Sequence, residues 1–381
     1  QTGGGRVIST RPTPHSMAPA PTADEWALLD FAVSLKAMLR GPMKALLPQI
    51  YETQAADAWA LRQGRRPQSW RDVASAMEDQ PAYRWWSGLL RAQQEFYLDV
   101  TSTTCEREAP VLIERFRELA AGPGLGSLTL DDSVVIPPYQ ADVDIHCVPG
   151  SYFIERTPDD VWAGARSDLG GFVFTMGKQG VLNDDKGLSG AAFVKQRFPA
   201  LQPRRILDIG CTIGCYTLPW CDAFPDAEVH ALDLSAPSLR YGWARAQSLG
   251  KAVHFRQGDA EATPYGDGGF DLVVSHILLH ETSRAALGNI IAEAHRLLAP
   301  GGVMLHIEVP VRRNEAFDQF LTNWDSTNNN EPFWSTLAEM DLVAPALEAG
   351  FPRESIFEAV VPTQRAKAGD WLGYGARKAS I

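Results

Sequence analysis

The chain has no apolar run approaching the ~18–20 residues that cross a bilayer, and no hydrophobic opening of the signal-peptide kind. Basic residues are outnumbered: 35 Lys and Arg against 46 Asp and Glu leave a formal net charge of −11. Phosphate backbones are held by clustered Lys and Arg. Neither nucleic acid nor a membrane is therefore expected as a partner. Cysteine is scarce and odd in number. The five (Cys105, Cys147, Cys211, Cys215, Cys221) fit no disulfide framework and point to a reducing, cytoplasmic setting. Three of them cluster at Cys211, Cys215 and Cys221 without a paired C-x-x-C knuckle, so no metal is expected.

Apolar residues make up 45% and charged residues 21% of 381, values for a globular chain with a full core and room for two domains. Residues 1–21, rich in Gly, Thr, Pro, Ser and Ala, read as a flexible arm. Thr22-Ala-Asp-Glu25 has the spacing of a capping box, and apolar residues from Trp26 to Leu39 recur at helical intervals up to a Gly41-Pro42 stop. Helical patterns continue over 43–63, 70–79 and 81–121, with an interruption expected at Pro110. Residues 22–184 thus read as a mostly helical N-terminal domain. Its aromatic side chains, among them Trp59, Trp86 and Tyr97, serve either helix packing or an acceptor pocket. The alternation in 133–157 around Pro149-Gly150 predicts a small β-hairpin, with His146 on its surface.

From residue 185 to 381 the texture changes to short apolar strands alternating with helices, the pattern of an α/β doubly wound sheet. Strands are expected at 205–209, 228–233, 252–257, 270–275, 302–309, 355–361 and 370–377. Helices are expected at 214–223, 236–249, 284–298 and 333–349.

The chemistry concentrates where these strands end. Ile206-Leu-Asp-Ile-Gly-Cys-Thr-Ile-Gly214 runs from strand to turn to helix. Gly210 permits a sharp turn beside a ligand, and Gly214 lets the next helix start close to the strand. The second strand ends at Asp233, where a carboxylate can take both hydroxyls of a ribose. The third runs into Gln257-Gly-Asp259-Ala260, and the fourth ends in Ser275-His276.

Together these segments resemble the class I S-adenosylmethionine-dependent methyltransferases, in the broad small-molecule group. The resemblance covers about half of the chain. It implies a Rossmann-like seven-stranded sheet whose last strand is antiparallel, with S-adenosyl-L-methionine as cofactor. It also implies cofactor contacts at Asp208, Gly210, Cys211, Gly214, Asp233, Leu234, Asp259, Ala260 and Ser275. One departure is visible: many members carry Gly where this chain has Thr212.

A sulfonium is already a good electrophile, so a base is needed only when the acceptor must lose a proton. Candidates for that work, or for the methyl site, are His280, Glu281, His276 and Glu308, with His280 first. The 310–334 segment is longer than an ordinary strand-to-helix connection and reads as an acceptor-side insertion. In it Phe320, Trp324, Phe333 and Trp334 offer an apolar wall, and Asn323 or Asn328 hydrogen bonds. The expected function is methyl transfer to O, N or C of a small-molecule acceptor. A protein or peptide acceptor, or a non-catalytic structural role, are the alternatives. The N-terminal helices are expected to act as a lid, to bind the acceptor or to form a homodimer.

Overall fold

A computed structural model describes residues 11–12, 15–310, 315–365 and 369–380. Its centre is one eight-stranded sheet: β1 (Gly126–Thr129), β2 (Arg205–Ile209), β3 (Glu228–Asp233), β4 (Val253–Gln257), β5 (Phe270–His276), β6 (Leu298–Glu308), β7 (Phe357–Val361) and β8 (Trp371–Arg377). The spatial order is β1-β4-β3-β2-β5-β6-β8-β7, and β8 alone runs antiparallel to both of its neighbours. The antiparallel last strand agrees with the expectation. The eighth strand does not: the segment after Gly122 adds β1 in parallel to β4, and the seven-strand count is corrected accordingly. The order reverses between β2 and β5, so ligand space opens outside the carboxyl ends of those strands.

Interior strands β2 and β5 are short apolar runs buried on both faces, as parallel strands must be. On one face a core joins Leu207, Ile209 and Val273 to Leu287, Ile290 and Ile291 of the helix Arg284–Leu297. The other face packs Ile206, Val229, Phe255 and Leu272 into the same cluster as Val33, Val100, Trp162 and Leu169. Packing is thus continuous across residue 185. A third, smaller core holds Leu47, Trp59, Val73, Trp86, Phe320 and Trp324.

The N-terminal helices meet one expectation and differ from it in three places. The capping box at Thr22 forms, with Glu25 N–H donating to Thr22 Oγ1 at 3.2 Å. Gly41-Pro42 does not stop the chain, however: helix runs on from Ala23 to Gln63 through π turns at Leu39–Met43 and Tyr51–Ala55. The wider turn bonds Lys44 N–H to Leu39 O and accommodates the proline ring, which has no N–H to satisfy. Nor does Pro110 interrupt the helix Pro81–Ala120, because it lies on the exposed side, where water can take the freed carbonyl. Residues 15–21 of the supposed flexible arm are packed: Met17 is fully buried and its carbonyl accepts from Tyr241 Oη at 2.9 Å. The rest of that arm, 1–10 and 13–14, lies outside the described residues, as do 311–314 of the 310–334 segment.

The hairpin of 133–157 is absent. Left-handed backbone at His146, Cys147 and Ser151 (φ 56, 65 and 50) breaks the alternation. The stretch forms a short helix, Pro138–Ala141, and a 3-10 turn, Ile145–Cys147. After it, helix Trp162–Phe174 lies on helix Ala236–Ser248, and Asp185–Arg197 leads into β2. The helix expected at 333–349 is split into Trp334–Glu339 and Val343–Glu348, with Tyr374 Oη donating to Leu342 O at 2.6 Å between them.

Candidate active site

A cavity of about 640 Å³ opens over the carboxyl ends of β2, β3, β4 and β5. The glycine turn forms its floor. Gly210 has φ 71, a left-handed conformation that favours glycine, and a Cβ there would press to 2.7 Å from Leu278 Cδ1. Thr212 takes the same left-handed region with φ 50. A threonine in that region stores some strain. Its N–H donates to Asp233 Oδ2 at 2.8 Å, which ties the turn to the end of β3. Asp233 Oδ1 accepts from Ser235 N–H at 2.9 Å, and each oxygen keeps a lone pair for a ligand. Burial raises the Asp233 pKa, against the pull of those two backbone donors.

Leu234, Cys211, Asp259 and Ala260 line the same cavity. Asp259 Oδ1 accepts from Glu261 N–H at 2.8 Å, and partial burial raises its pKa. Asp208 lies beneath the turn, where Thr217 Oγ1 donates to its Oδ2 at 2.6 Å and His276 Nδ1 meets Oδ1 at 3.2 Å. Trp220 Nε1 donates to the other nitrogen of His276 at 3.4 Å. Both nitrogens of His276, which lines the cavity, thus lie within reach of a partner.

Two expected cofactor contacts, Gly214 and Ser275, and one catalytic candidate, Glu308, lie outside the cavity lining. Gly214 is set behind the cavity wall, with φ 72 and its missing Cβ facing Phe255. Ser275 points away from the cavity, opposite to His276, as successive strand residues must; its hydroxyl meets His306 Nδ1 at 2.7 Å. Glu308 is fully buried behind His280 and does not line the cavity.

His280 stands in the 3-10 turn Leu279–Glu281 that follows β5. Glu308 Oε2 holds its Nδ1 at 2.5 Å, while Glu308 Oε1 accepts from Leu279 N–H at 2.7 Å. One carboxylate thereby fixes both the imidazole and the turn that carries it. Burial alone would lower the His280 pKa; Glu308 and Glu281 outweigh it and raise the value. Its Nε2 lies 3.8 Å from Glu281 Oε1, too far for a hydrogen bond. Trp334 packs edge-on against the ring at 4.7 Å between centroids.

Sequence patterning misplaces one member of this group. His146 is clamped between carboxylates, with Nε2 at 3.1 Å from Glu281 Oε1 and Nδ1 at 2.9 Å from Glu331 Oε1. Burial opposes charging it, but the two acids together raise its pKa well above the ordinary range. Tyr152 Oη adds a bond to Glu281 Oε1 at 3.3 Å, and Glu281 Oε2 is buried without a partner. Of the expected apolar wall only Trp334 reaches the cavity, and Phe333 packs edge-on against the lining residue Tyr139. Phe320 and Trp324 belong to the satellite core, and Asn323 and Asn328 lie outside the lining. Lys36, Tyr97, Arg166, Phe174 and Lys186 complete the cavity from the N-terminal side. No motif announces them, because nothing local requires their side chains to converge.

A glycine turn at a sheet's topological switch point, two carboxylates at the next strand ends and an antiparallel last strand define a Rossmann-like methyltransferase fold. A family described as "Methyltransferase domain" matches residues 206–302. A malonyl-[acyl-carrier protein] O-methyltransferase of Pseudescherichia vulneris is 40% identical over 27% of this chain and 38% of its own length. For a demethylmenaquinone methyltransferase of Thermus thermophilus the values are 35%, 30% and 51%. An uncharacterised methyltransferase of Synechocystis is 33% identical over 40% of this chain and 69% of its own. The chain spans between 38% and 51% of the length of the first three curated relatives it matches. It belongs to the class I S-adenosylmethionine-dependent methyltransferases. Among the described residues no helix is long and apolar enough to cross a membrane.

Proposed function

We propose that the protein transfers a methyl group from S-adenosylmethionine to a small-molecule acceptor that must give up a proton. One observation carries the reading: the cofactor-type strand ends and His280, held from behind by Glu308, converge on a single cavity. Its ~640 Å³ lies within the about 300–1,000 Å³ of small-molecule sites. The residues fit the cofactor. Asp233 keeps lone pairs for ribose hydroxyls, Asp259 and Ala260 stand where an adenine amino group would lie, and Asp208 and Lys186 offer opposite charges to an amino acid moiety. When bound, S-adenosylmethionine supplies an electrophilic methyl whose bonding pair stays on sulfur.

The chain's own work is to orient and to accept a proton. His280 Nε2 takes the acceptor's proton, and Glu308, a positioning residue, holds Nδ1–H so that Nε2 presents its lone pair. Glu281, whose Oε2 is buried at the cavity without a partner among the described residues, orients the acceptor. Aromatic walls exclude water and suit a reaction in which charge is dispersed.

Calorimetry with S-adenosylmethionine and S-adenosylhomocysteine, before and after chelator, tests the reading. Binding of both without metal is expected, and no binding of either would sink it. Asp233→Ala is expected to weaken cofactor binding by about 1.5–3 kcal/mol, the scale of a hydrogen bond to a charged group. An unchanged affinity would remove Asp233 from the cofactor site.

The pH dependence has a definite sign. His280 must be neutral to act, and its raised pKa places the acid limb of kcat/KM above about 6.5. Glu308→Gln removes the largest of the three acidic influences, Glu308, Glu281 and Glu331, that sustain this shift. Its acid limb should move to lower pH while the plateau rate falls. A limb that stays in place would show that another group titrates.

A further inference from the structure

Three basic side chains line the cavity while nearly fully buried: Lys36, Arg166 and Lys186, at 4%, 4% and 2% exposure, and burial lowers the pKa of each. Among the described residues none has a carboxylate within ion-pairing distance. Lys36 Nζ donates to Phe174 O at 2.9 Å and sits 3.4 Å over that ring. Arg166 Nη2 donates to Ser151 O at 2.8 Å, and its buried Nη1 has no partner among the described residues. Lys186 Nζ donates to Gln179 Oε1 and Tyr216 Oη, each at 2.8 Å. The acids near them are already committed: Asp325 to Arg40 at 3.0 Å, Glu331 and Glu281 to His146.

A buried charge without a counter-charge is costly. Basic groups held this way at the wall of a cavity are favoured in their charged form by an anion that enters it. The cofactor brings one carboxylate, and Lys186 is placed for it, bonded to the side chain of Tyr216 in the segment of the glycine turn. Two cations are left over. They flank one phenol: Lys36 Nζ lies 5.9 Å from the Tyr97 ring, and Arg166 acts electrostatically on the same side chain. Tyr97, Tyr152, Phe174 and Trp334 supply flat apolar walls around them.

On the methyltransferase reading, we propose that the acceptor is an aromatic anion, a carboxylate or phosphate ester, whose charged group is held by Lys36 and Arg166. The anion is fixed at the N-terminal wall, and the group to be methylated is directed toward His280 and the methyl site. The N-terminal helices thereby select the acceptor by charge as well as by shape.

The test uses the full-length protein saturated with S-adenosylhomocysteine. Binding of 4-hydroxybenzoate, 4-hydroxyphenyl phosphate and neutral 4-hydroxybenzamide is measured by calorimetry. At least one anion should bind ten-fold or more tightly than the amide, and the tighter of the two identifies the anionic group. Arg166→Gln should abolish that preference and leave S-adenosylhomocysteine affinity within two-fold, while Arg166→Lys restores part of it. Should Arg166→Gln fail to fold by circular dichroism, Lys36→Met carries the same expectation. Equal affinities, no binding of any probe, or a ten-fold loss of S-adenosylhomocysteine affinity in Arg166→Gln would each overturn the assignment. Failure of the wild-type protein to bind S-adenosylhomocysteine is distinct: it overturns the methyltransferase reading itself.

Discussion

Replacing His280 by alanine should slow methyl transfer by about 10²–10⁴-fold, the range for removing a positioned general base, with cofactor affinity retained. The expectation rests on how the side chain is held. Glu308, itself fully buried, fixes Nδ1 at 2.5 Å and leaves Nε2 without a hydrogen bond at the cavity. The ring lies near the cofactor's strand ends without taking any of their hydrogen-bonding groups, so its loss should spare binding. Single-turnover rates with any acceptor the wild-type protein methylates provide the measurement, beside a calorimetric Kd for S-adenosylhomocysteine. A drop of less than about ten-fold would mean that the acceptor arrives already ionised or that Glu281 is the base.

The second large effect concerns the fold. A fragment of residues 185–381 contains every cofactor motif, yet it should not form a cooperative domain. It loses β1 from the edge of β4 and the helix Trp162–Phe174 from the top of Tyr241. That contact is close: a Cβ on Gly164 would lie 2.3 Å from Tyr241 Cβ. Tyr241 Oη also loses its acceptors at Met17 O and Asp168, and Arg245, 1% exposed, loses its carboxylate partner Asp168. Each large apolar side chain uncovered costs about 1.5–3 kcal/mol, and a domain's whole stability is about 5–15 kcal/mol. Several such losses exceed the margin. Thermal unfolding of the fragment should lack a sharp transition and its surface should bind a hydrophobic dye. A cooperative melt that shifts upward with S-adenosylhomocysteine would refute this.

The sheet was legible because its strands are apolar runs with turn residues at both ends, and because Gly210, Asp233 and Asp259 follow three of them at once. His280 could be picked for the same reason, since it follows a strand whose end is plain. What escaped was everything whose position depends on distant partners. Val143-Asp-Ile-His-Cys-Val148 alternates as a strand would, but His146 turns left-handed to meet Glu281, 135 residues away. Ser275 and His276 are adjacent, and only the register of β5 decides which one faces the cavity. Lys36 and Arg166 look like ordinary helix residues in the sequence. Their burial is a property of the assembled cavity.

The π turns of the first helix carry a consequence of another kind. A π turn is an α-helix with one residue inserted, and each inserted residue rotates everything beyond it by about 100°. Before the turn at Leu39–Met43 the helix presents Leu29, Ala32 and Val33 to the main core; after it, Leu47, Ala55 and Trp59 face the satellite core. Lys36 and Arg40, both on the cavity wall, stand where the handover takes place. In evolutionary terms this wall can be re-aimed by gain or loss of a single codon, without touching the sheet that holds the cofactor motifs.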